Sequence, residues 1–246
     1  MNLEEEHKEQ VINEVRLRNR SYLRIPIKTR IITVQDQLED IVSDYVVNKN
    51  KDKMSSIFAV CLASKIVCIC TPKYRFHKDK IKIGLFARIV EKFVTYHPND
   101  FGYKNARKIQ LAIKIVGLPR FVLAVVIGGI MKFIFRKPGY FYIIAGNNIS
   151  KIDGFIPDDF PDPEGIGQYG YVIPKTKELN DLCDGLESKF NIPFMITDSN
   201  NIDDHLIGIS KTLREGYSIE ELKSVVKGNP HGQNNLTPIL LFINKE

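Results

Sequence analysis

The chain has 246 residues, 43% hydrophobic and 26% charged, which is the composition of a soluble globular protein with one large domain or two small ones. The net charge is +6 and the pI about 9.0, but the basic residues fall inside apolar periodic segments without a run of five or more, so nucleic acid is not a supported partner. The N-terminal stretch MNLEEEHKEQ is acidic and has no apolar core, which predicts no signal peptide and a cytoplasmic protein.

Residues 1–20 are charged and predict a short helix or a frayed arm, so the fold proper is expected to begin near Tyr22 and to extend over residues 21–246, with an internal division near 70–100. Residues 24–34 show β-branched alternation with a proline near the start, which is typical of an edge strand. Residues 35–48 have apolar side chains at helical spacing.

The run SIFAVCLASKIVCIC at residues 56–70 is continuously apolar and rich in β-branched residues, so it predicts two buried strands that bend near Ser64 and Lys65. The 3.6-residue pattern then predicts three helices, at residues 83–96, 104–116 and 121–135. Gly117, Leu118 and Pro119 are expected to end the second of them.

The most apolar window, residues 121–131, is bounded by Arg120 and Lys132. A bilayer span needs about twenty apolar residues, so this window predicts a buried helix and no membrane partner. Gly128 and Gly129 would permit another backbone to approach it closely.

The second half of the chain alternates strands and helices irregularly. Proline, glycine and aspartate at residues 158–170 predict an irregular lid or insertion, and Thr176 is expected to cap a helix. No GxGxxG turn or GxxxxGKS/T loop occurs, which argues against Rossmann and P-loop folds. The remaining predicted elements are strands at 140–145, 171–174, 194–197 and 237–243, helices at 176–190 and 219–226, a polar loop at 146–154 and an unassigned segment at 205–210.

Charge is distributed unevenly along the sequence. Between Asp100 and Asp153 there are nine basic residues and no acidic one, whereas from Asp153 to Asp204 there are twelve carboxylates and three lysines. If the two segments face one cleft, cations would suit phosphates and carboxylates would hold a divalent metal. The alternative is two solvated faces that attract each other across a domain contact.

Asp198 is the sharpest candidate for a metal ligand, because it follows a buried apolar strand and leads into the loop DSNNIDD, which also contains Asp203. A helix cap or an Asx-turn is the alternative. Lys65, within an apolar run, either reaches the surface or binds an anion. The four cysteines lack paired CxxC spacing and are expected to be core thiols of a reducing compartment; Cys61 or Cys183 as a nucleophile is the lesser alternative.

Five segments, in order from about residue 24 to the end, resemble the gamma-glutamyl ligases of the deazaflavin coenzyme F-420. These segments are IPIKTRII at 25–32, ASKIV at 63–67, AGNNISKIDG at 145–154, MITDS at 195–199 and GQNNLTPILL at 232–241. The family attaches glutamate to a phosphodiester-linked lactate, so the resemblance implies amide-bond formation between an acidic substrate and glutamate or a similar amine.

The resemblance also implies an α+β fold of two interleaved mixed domains, a homodimer, a GTP-type nucleotide and divalent manganese or magnesium. Asp198 corresponds to a metal-binding aspartate and Lys65 to the lysine of the family's strand motif. Asn148 and Ser150 would then orient oxygens of the substrate or nucleotide.

The chain departs from the family pattern in two places. Asn148 stands where family members usually have an aspartate, and Ser199 and Asn200 follow Asp198 where a glycine-arginine pair is common. The first change removes a charge from one metal site and the second removes a phosphate or carboxylate clamp. The alternative to a ligase is therefore a non-catalytic relative that binds a nucleotide or anion in a regulatory role.

Overall fold

The computed structural model describes most of the chain. The described residues are 13–94, 104–137, 139–146, 149, 151–155, 162, 165–199, 204–228, 231 and 236–245. Asn148, Ser150 and Asp203, three of the residues expected at the site, lie outside them.

Strands and helices are both well represented, which confirms the α+β class. The strands of the described residues are β1 (Asn13–Leu17), β2 (Arg20–Ile27), β3 (Ile57–Ala63), β4 (Arg75–His77), β5 (Ile152–Gly154), β6 (Tyr169–Val172), β7 (Phe194–Ser199), β8 (Asp204–Ile209) and β9 (Ile239–Asn244). The helices are α1 (Leu38–Val42, continued as a π-helix over Ser43–Val47), α2 (Ser64–Cys70), α3 (Leu85–Phe93), α4 (Ala106–Val116), α5 (Leu118–Phe133), α6 (Tyr140–Ala145), α7 (Thr176–Phe190), α8 (Lys211–Gly216) and α9 (Ile219–Val226). Short 3-10 turns lie at Lys51–Ser56, Pro72–Tyr74, Lys78–Lys80 and Ile166–Gln168.

The chain divides into two compact units. The first comprises Met1–Cys70 and Pro174–Glu246, and the second comprises the intervening Thr71–Ile173. The second unit is thus one continuous segment, while the first is built from two segments that are distant in sequence.

The first unit contains a mixed sheet in the order β1-β2-β9-β3-β7-β8 among the described strands. Its parallel pair is β3 with β7, in which Ala63 lies opposite Thr197, and the other pairings are antiparallel. The central strand β9 is buried from Ile239 to Ile243 because it has neighbours on both edges and covering side chains on both faces.

The core of the first unit lies where helices cover this sheet. Tyr22, Met195 and Phe242 from the strands pack with Leu222 and Val225 of α9. A capping box between Ser218 and Glu221 begins α9, satisfying backbone N–H groups that would otherwise lack partners.

The second unit contains a small antiparallel sheet, in the order β4-β6-β5. Helices α3 to α6 pack around a core that includes Ile109, Leu111, Phe121 and Phe155. Asn105 begins α4 by accepting hydrogen bonds from the backbone N–H groups of Arg107 and Lys108.

A close contact joins α5 to α6 within this unit. A Cβ atom placed on Gly128 would lie 2.9 Å from Cα and Cβ of Phe141, so only glycine permits this approach. The guanidinium of Arg120 also donates to the carbonyl of Ile144 over 2.8 Å. The expected close approach at Gly128 is therefore present, whereas no described atom lies within 4 Å of a Cβ on Gly129.

The structure corrects the prediction of two strands at 56–70. Only Ile57–Ala63 is a strand, and Ser64–Cys70 forms α2. Every residue of α2 except Lys65 is buried, so the segment has no polar face to give it a helical period. Its β-branched composition therefore favoured the wrong element.

The predicted strand at 140–145 is also wrong, because these residues form α6. Gly139, with φ of 93°, precedes the helix, and contact with α5 stabilises a conformation that aromatic and β-branched residues do not themselves prefer. Tertiary packing has overridden local propensity here.

The N-terminal region differs from expectation in three respects. Asn13–Leu17 forms β1 and belongs to the sheet, so this part of the predicted arm is a strand. β2 ends at Ile27 and lies between β1 and β9, which makes it an internal strand. Pro26 lies beyond Arg24, the last residue described as pairing with β1, and stands opposite Leu240 of β9.

The apolar window at 121–131 lies in a helix, as predicted, but the helix is buried on one face alone. Gly117 ends α4, whereas Leu118 and Pro119 begin α5 at once. No single described helix is long and apolar enough to cross a membrane; α4 and α5 meet that criterion only as a pair, with a bend of 116° between them.

Two smaller predictions concern Thr176 and the cysteines. Thr176 is the first residue of α7, where Lys175 occupies the cap position without a side-chain hydrogen bond. All four cysteines are buried free thiols, as predicted.

Candidate functional site

The candidate site lies where the parallel strands β3 and β7 end. Parallel strands bring their carboxyl ends to the same edge, and ligands of α/β sheets commonly bind at such an edge. β3 runs without a loop into α2, so Ser64 stands at the junction. Its hydroxyl donates a hydrogen bond to Oδ1 of Asp198 over 2.9 Å.

The two side chains of this pair differ in exposure. Ser64 is buried, while Asp198 is half-buried at the end of β7, beside His205 of β8. The sequence predicts Asp198 in the loop after the strand, but the residue belongs to the strand itself. Its backbone position is therefore fixed by pairing with β8, and its carboxylate is oriented by Ser64.

The other predicted site residues have different outcomes. Lys65 is exposed in the first turn of α2, directly after Ser64, which agrees with a lysine that reaches the surface. Asn148, Ser150 and Asp203 fall outside the described residues. The structure thus brings Lys65 and Asp198 to the same end of the β3–β7 pair. The roles of Asn148, Ser150 and Asp203 stay predictions.

Behind Asp198 lies a buried polar cluster that no pattern in the sequence predicts. Thr197 Oγ1 lies 2.8 Å from Nε2 of His231 and 3.4 Å from Sγ of Cys61. Nδ1 of His231 lies 3.2 Å from the carbonyl oxygen of Thr237, whose own hydroxyl donates to the carbonyl of His231. Thr197 is 1% exposed and His231 6% exposed.

The hydrogen bonds assign the protons of this cluster. A carbonyl oxygen only accepts, so Nδ1 of His231 carries a proton, and in this tautomer Nε2 accepts from the Thr197 hydroxyl. The Thr197 oxygen then accepts from the Cys61 thiol. Each group has a role consistent with its neighbours, so the cluster is a satisfied buried network that holds residues 231 and 237 against the sheet.

Cys61 is not an activated nucleophile. Burial raises the pKa of its thiol to about 12, and the interaction with the Thr197 side chain offsets this only in part. Burial likewise raises the pKa of Cys183. The thiolate is the reactive form, so neither cysteine is nucleophilic near neutral pH.

The polar cluster and the Asp198 carboxylate lie on opposite faces of β7, because successive side chains of a strand alternate. No sequence pattern reveals the cluster, since Cys61, Thr197 and His231 are far apart in the chain. Only the pairing of β3 with β7 and the return of the chain near His231 bring them together.

Asp198 and Ser64 offer two hard oxygen atoms of the kind that magnesium and manganese bind. Among the described residues, no group of three His, Cys, Asp or Glu side chains is placed to hold a metal ion. Magnesium often binds through one or two carboxylates together with water and substrate phosphates, so this pair fits an ion that arrives with a nucleotide.

The second unit has its own cavity, of about 630 Å³, at the start of α4. Arg88, Lys92, Lys104 and Arg107 line it, together with Glu91, which accepts a hydrogen bond from the backbone N–H of Ala106. Four cations and one carboxylate favour an anionic ligand. Lys104 and Arg107 belong to the basic segment that the sequence singled out.

Comparisons of the chain with protein-family models, curated proteins and solved structures found no match.

Proposed function

We propose that this chain is a divergent gamma-glutamyl ligase-like enzyme, which uses a GTP-type nucleotide and manganese or magnesium to join an acidic substrate to glutamate or a similar amine. The observation that carries the proposal is the hydrogen bond between Ser64 and Asp198. These residues come from two segments that resemble the ligase family, and they meet at the carboxyl end of a parallel strand pair.

The placement of the other resembling segments supports the same proposal. Residues 25–32, 63–67, 195–199 and 232–241 contribute to β2, β3, β7 and β9, which lie side by side in the order β2-β9-β3-β7. Parts of these segments are thus neighbours in one sheet, while residues 64–67, with Lys65 among them, lie in helix α2. The fifth segment, residues 145–154, belongs to the second unit.

The proposed reaction has two steps. A substrate carboxylate oxygen attacks the terminal phosphorus of the nucleotide, releasing the nucleoside diphosphate and forming an acyl phosphate. The amine then attacks the acyl carbon and releases inorganic phosphate. Catalysis of this kind depends on positioning and on neutralising charge.

The roles proposed for the residues follow from their positions. Asp198, oriented by Ser64, would hold the divalent ion, whose chemistry is to neutralise phosphate charge. Lys65, exposed beside Ser64, would attract the anionic ligand to this edge. Asn148 and Ser150 keep the ligand-orienting role that the family resemblance implies.

A non-catalytic relative that binds a nucleotide or anion is the second candidate. It is favoured by Asn148, which supplies no charge where the family usually has an aspartate. Both candidates require ligand binding, and phosphate release separates them. Release of phosphate that depends on an acid and on glutamate supports the ligase, whereas binding without release supports the second candidate.

Calorimetric titration of GTP with manganese tests the binding step. The wild type should bind, and Asp198→Asn should lose manganese-dependent binding, because the amide keeps the shape but not the charge. Ser64→Ala should weaken binding to a smaller extent. Asp52→Asn changes an exposed carboxylate of the same unit and should leave affinity unchanged.

Unchanged affinity in Asp198→Asn would remove the metal assignment and with it the proposed site. A wild type without nucleotide affinity would remove the ligase proposal itself.

We also propose that the protein is a homodimer, as the resemblance implies. A specific interface should bury more than about 1,000 Å². Light scattering that shows a monomer at micromolar concentration would contradict this.

A further inference from the structure

Helix α5 of the second unit has an exposed apolar face. Its buried face consists of Phe121, Ala124 and Gly128. The opposite face presents a stripe of large apolar side chains spaced three and four residues apart. These are Leu123, Val126, Ile130 and Phe133, which are 52%, 53%, 43% and 76% exposed.

The stripe leads into an apolar tip at the end of the helix. Phe133, Ile134 and Phe135 are exposed by 76%, 70% and 59%, and the exposed cations Arg136 and Lys137 follow them directly. The neighbouring α6 adds Ile143, which is 67% exposed. Contiguous exposed apolar surface of this kind marks an interaction site, whereas apolar side chains exposed singly, such as Ile219, are ordinary.

Charge identifies the occupant. Residues 101–152 carry nine basic residues and no acidic one. Among them, Arg120 is exposed near the start of α5, and Lys132, Arg136 and Lys137 are exposed near its end. An apolar surface with cations at both ends is complementary to a lipid layer, whose interior is apolar and whose headgroups are anionic.

A second copy of the chain fits this face poorly. In an isologous dimer the same patch meets itself, so the cations of one copy would approach those of the other with no carboxylate of the segment between them. Lipid phosphates instead complement every exposed cation of the patch.

We propose that the α5–α6 face binds the headgroup region of an anionic lipid membrane. The apolar tip, Phe133 to Phe135, enters the boundary between headgroups and acyl chains, while Arg136 and Lys137 contact lipid phosphates. Helices that bind in this way bury an apolar face by about 5–10 Å without crossing the bilayer. The proposal concerns the second unit and is independent of the ligase chemistry.

Vesicle flotation with the full chain tests this. Two vesicle types are compared at equal ionic strength: phosphatidylcholine alone, and phosphatidylcholine mixed with phosphatidylglycerol. The wild type should float with the anionic vesicles, with a partition coefficient roughly tenfold or more above that for the neutral ones. Raising the salt concentration should release it, because screening weakens attraction between exposed charges.

Two variants test the apolar side chains and the cations of this surface separately. Phe133→Ser/Ile134→Ser/Phe135→Ser removes the apolar tip, and Arg136→Gln/Lys137→Gln removes its cations. Each should lower the partition coefficient by roughly tenfold or more. All five side chains are exposed, so circular dichroism of both variants should match the wild type.

The matched controls change the same chemistry elsewhere. Ile219→Ser alters a side chain that is 52% exposed in α9, and Lys80→Gln/Lys82→Gln removes two exposed lysines of the second unit outside the α5–α6 face. Both should float like the wild type.

The proposal is overturned if the wild type floats with neither vesicle type or equally with both, or if the triple serine variant floats like the wild type. Light scattering of the wild type and this variant adds one further outcome. Suppose that the wild type is a dimer, that the triple serine variant is a monomer, and that the wild type floats with neither vesicle type. A second copy of the chain then covers this face, and the membrane proposal is wrong.

Discussion

The Thr197 hydroxyl donates to Nε2 of His231 across 2.8 Å inside the first unit, where both side chains are almost inaccessible to water. This bond joins a strand residue to a residue that is 34 positions later in the chain. A buried hydrogen bond of this kind adds only modestly to the free energy of unfolding. Removing one of its two groups costs more, because the other group then stays buried without a hydrogen bond and its desolvation is not compensated.

Thr197→Val should therefore lower the free energy of unfolding by about 1–3 kcal/mol, because His231 and Cys61 lose their hydrogen bonds to the Thr197 hydroxyl while the volume stays nearly constant. Thr197→Ser keeps the hydroxyl and should lose less. Denaturant titration followed by far-UV circular dichroism measures both. Thr212→Val, at an exposed position of α8, should change stability by no more than about 0.5 kcal/mol. Equal losses of unfolding free energy at Thr197 and Thr212 would show that the buried polar cluster does not stabilise the fold.

Adjacent glycines of α5 should respond to alanine in opposite directions. Gly128→Ala places a Cβ 2.9 Å from Phe141, and the resulting overpacking should destabilise the second unit by about 1–3 kcal/mol. Gly129→Ala meets no described atom within 4 Å and should stabilise by up to about 1 kcal/mol through helix propensity. Thermal denaturation of both variants measures the difference, and a shift in the same direction for both would contradict the described contact.

Asp36 should make unfolding sensitive to acid. Hydrogen bonds from Arg30, and a further one from the backbone N–H of Thr33, lower the pKa of this carboxyl from 3.8 to about 2. A pKa lowered by folding adds stability above the unfolded value, and this contribution is lost as the pH falls from about 4 towards 2. Asp36→Asn should flatten the decline in unfolding free energy over that range, as measured by urea titrations at several pH values. The exposed control Asp52→Asn should keep the wild-type slope.

The thiols should be inert in the native protein and destabilising in alkali. All four are buried, so a thiol reagent should label them only after denaturation. Folding raises the pKa of Cys61 from 9.0 to about 12, so the unfolded state loses its proton first and stability should fall as the pH rises above about 9. Rapid labelling of the native protein near neutral pH would contradict the described burial.

Elements with one buried face and one exposed face are predictable from this sequence. The helix predicted at 176–190 has those bounds in the structure, and α4 differs from its prediction by two residues at its start. Both segments alternate between core and solvent with a period near 3.6. α2 and α6 failed for the opposite reason, since neither has a regular polar face and both are rich in β-branched or aromatic side chains.

The candidate site was predictable only in part. The family resemblance singled out Asp198 and Lys65, but the partner of Asp198 is Ser64, 134 residues earlier. The Thr197–His231 bond and the Cys61 contact likewise depend on strand pairing and on the path of the chain after α9. Such contacts belong to the tertiary structure, and a local pattern of residues does not contain them.

The position of β9 has a consequence for biosynthesis. This strand lies between β2 and β3, yet it is translated after every other described strand of its sheet. Residues 71–173 are contiguous and can fold while translation continues, whereas β2 and β3 keep unpaired backbone edges until residue 244 has emerged. Nascent chains are therefore open to pairing with one another during that interval, and a stop before residue 239 would remove the middle of the sheet and separate the β1–β2 hairpin from the rest.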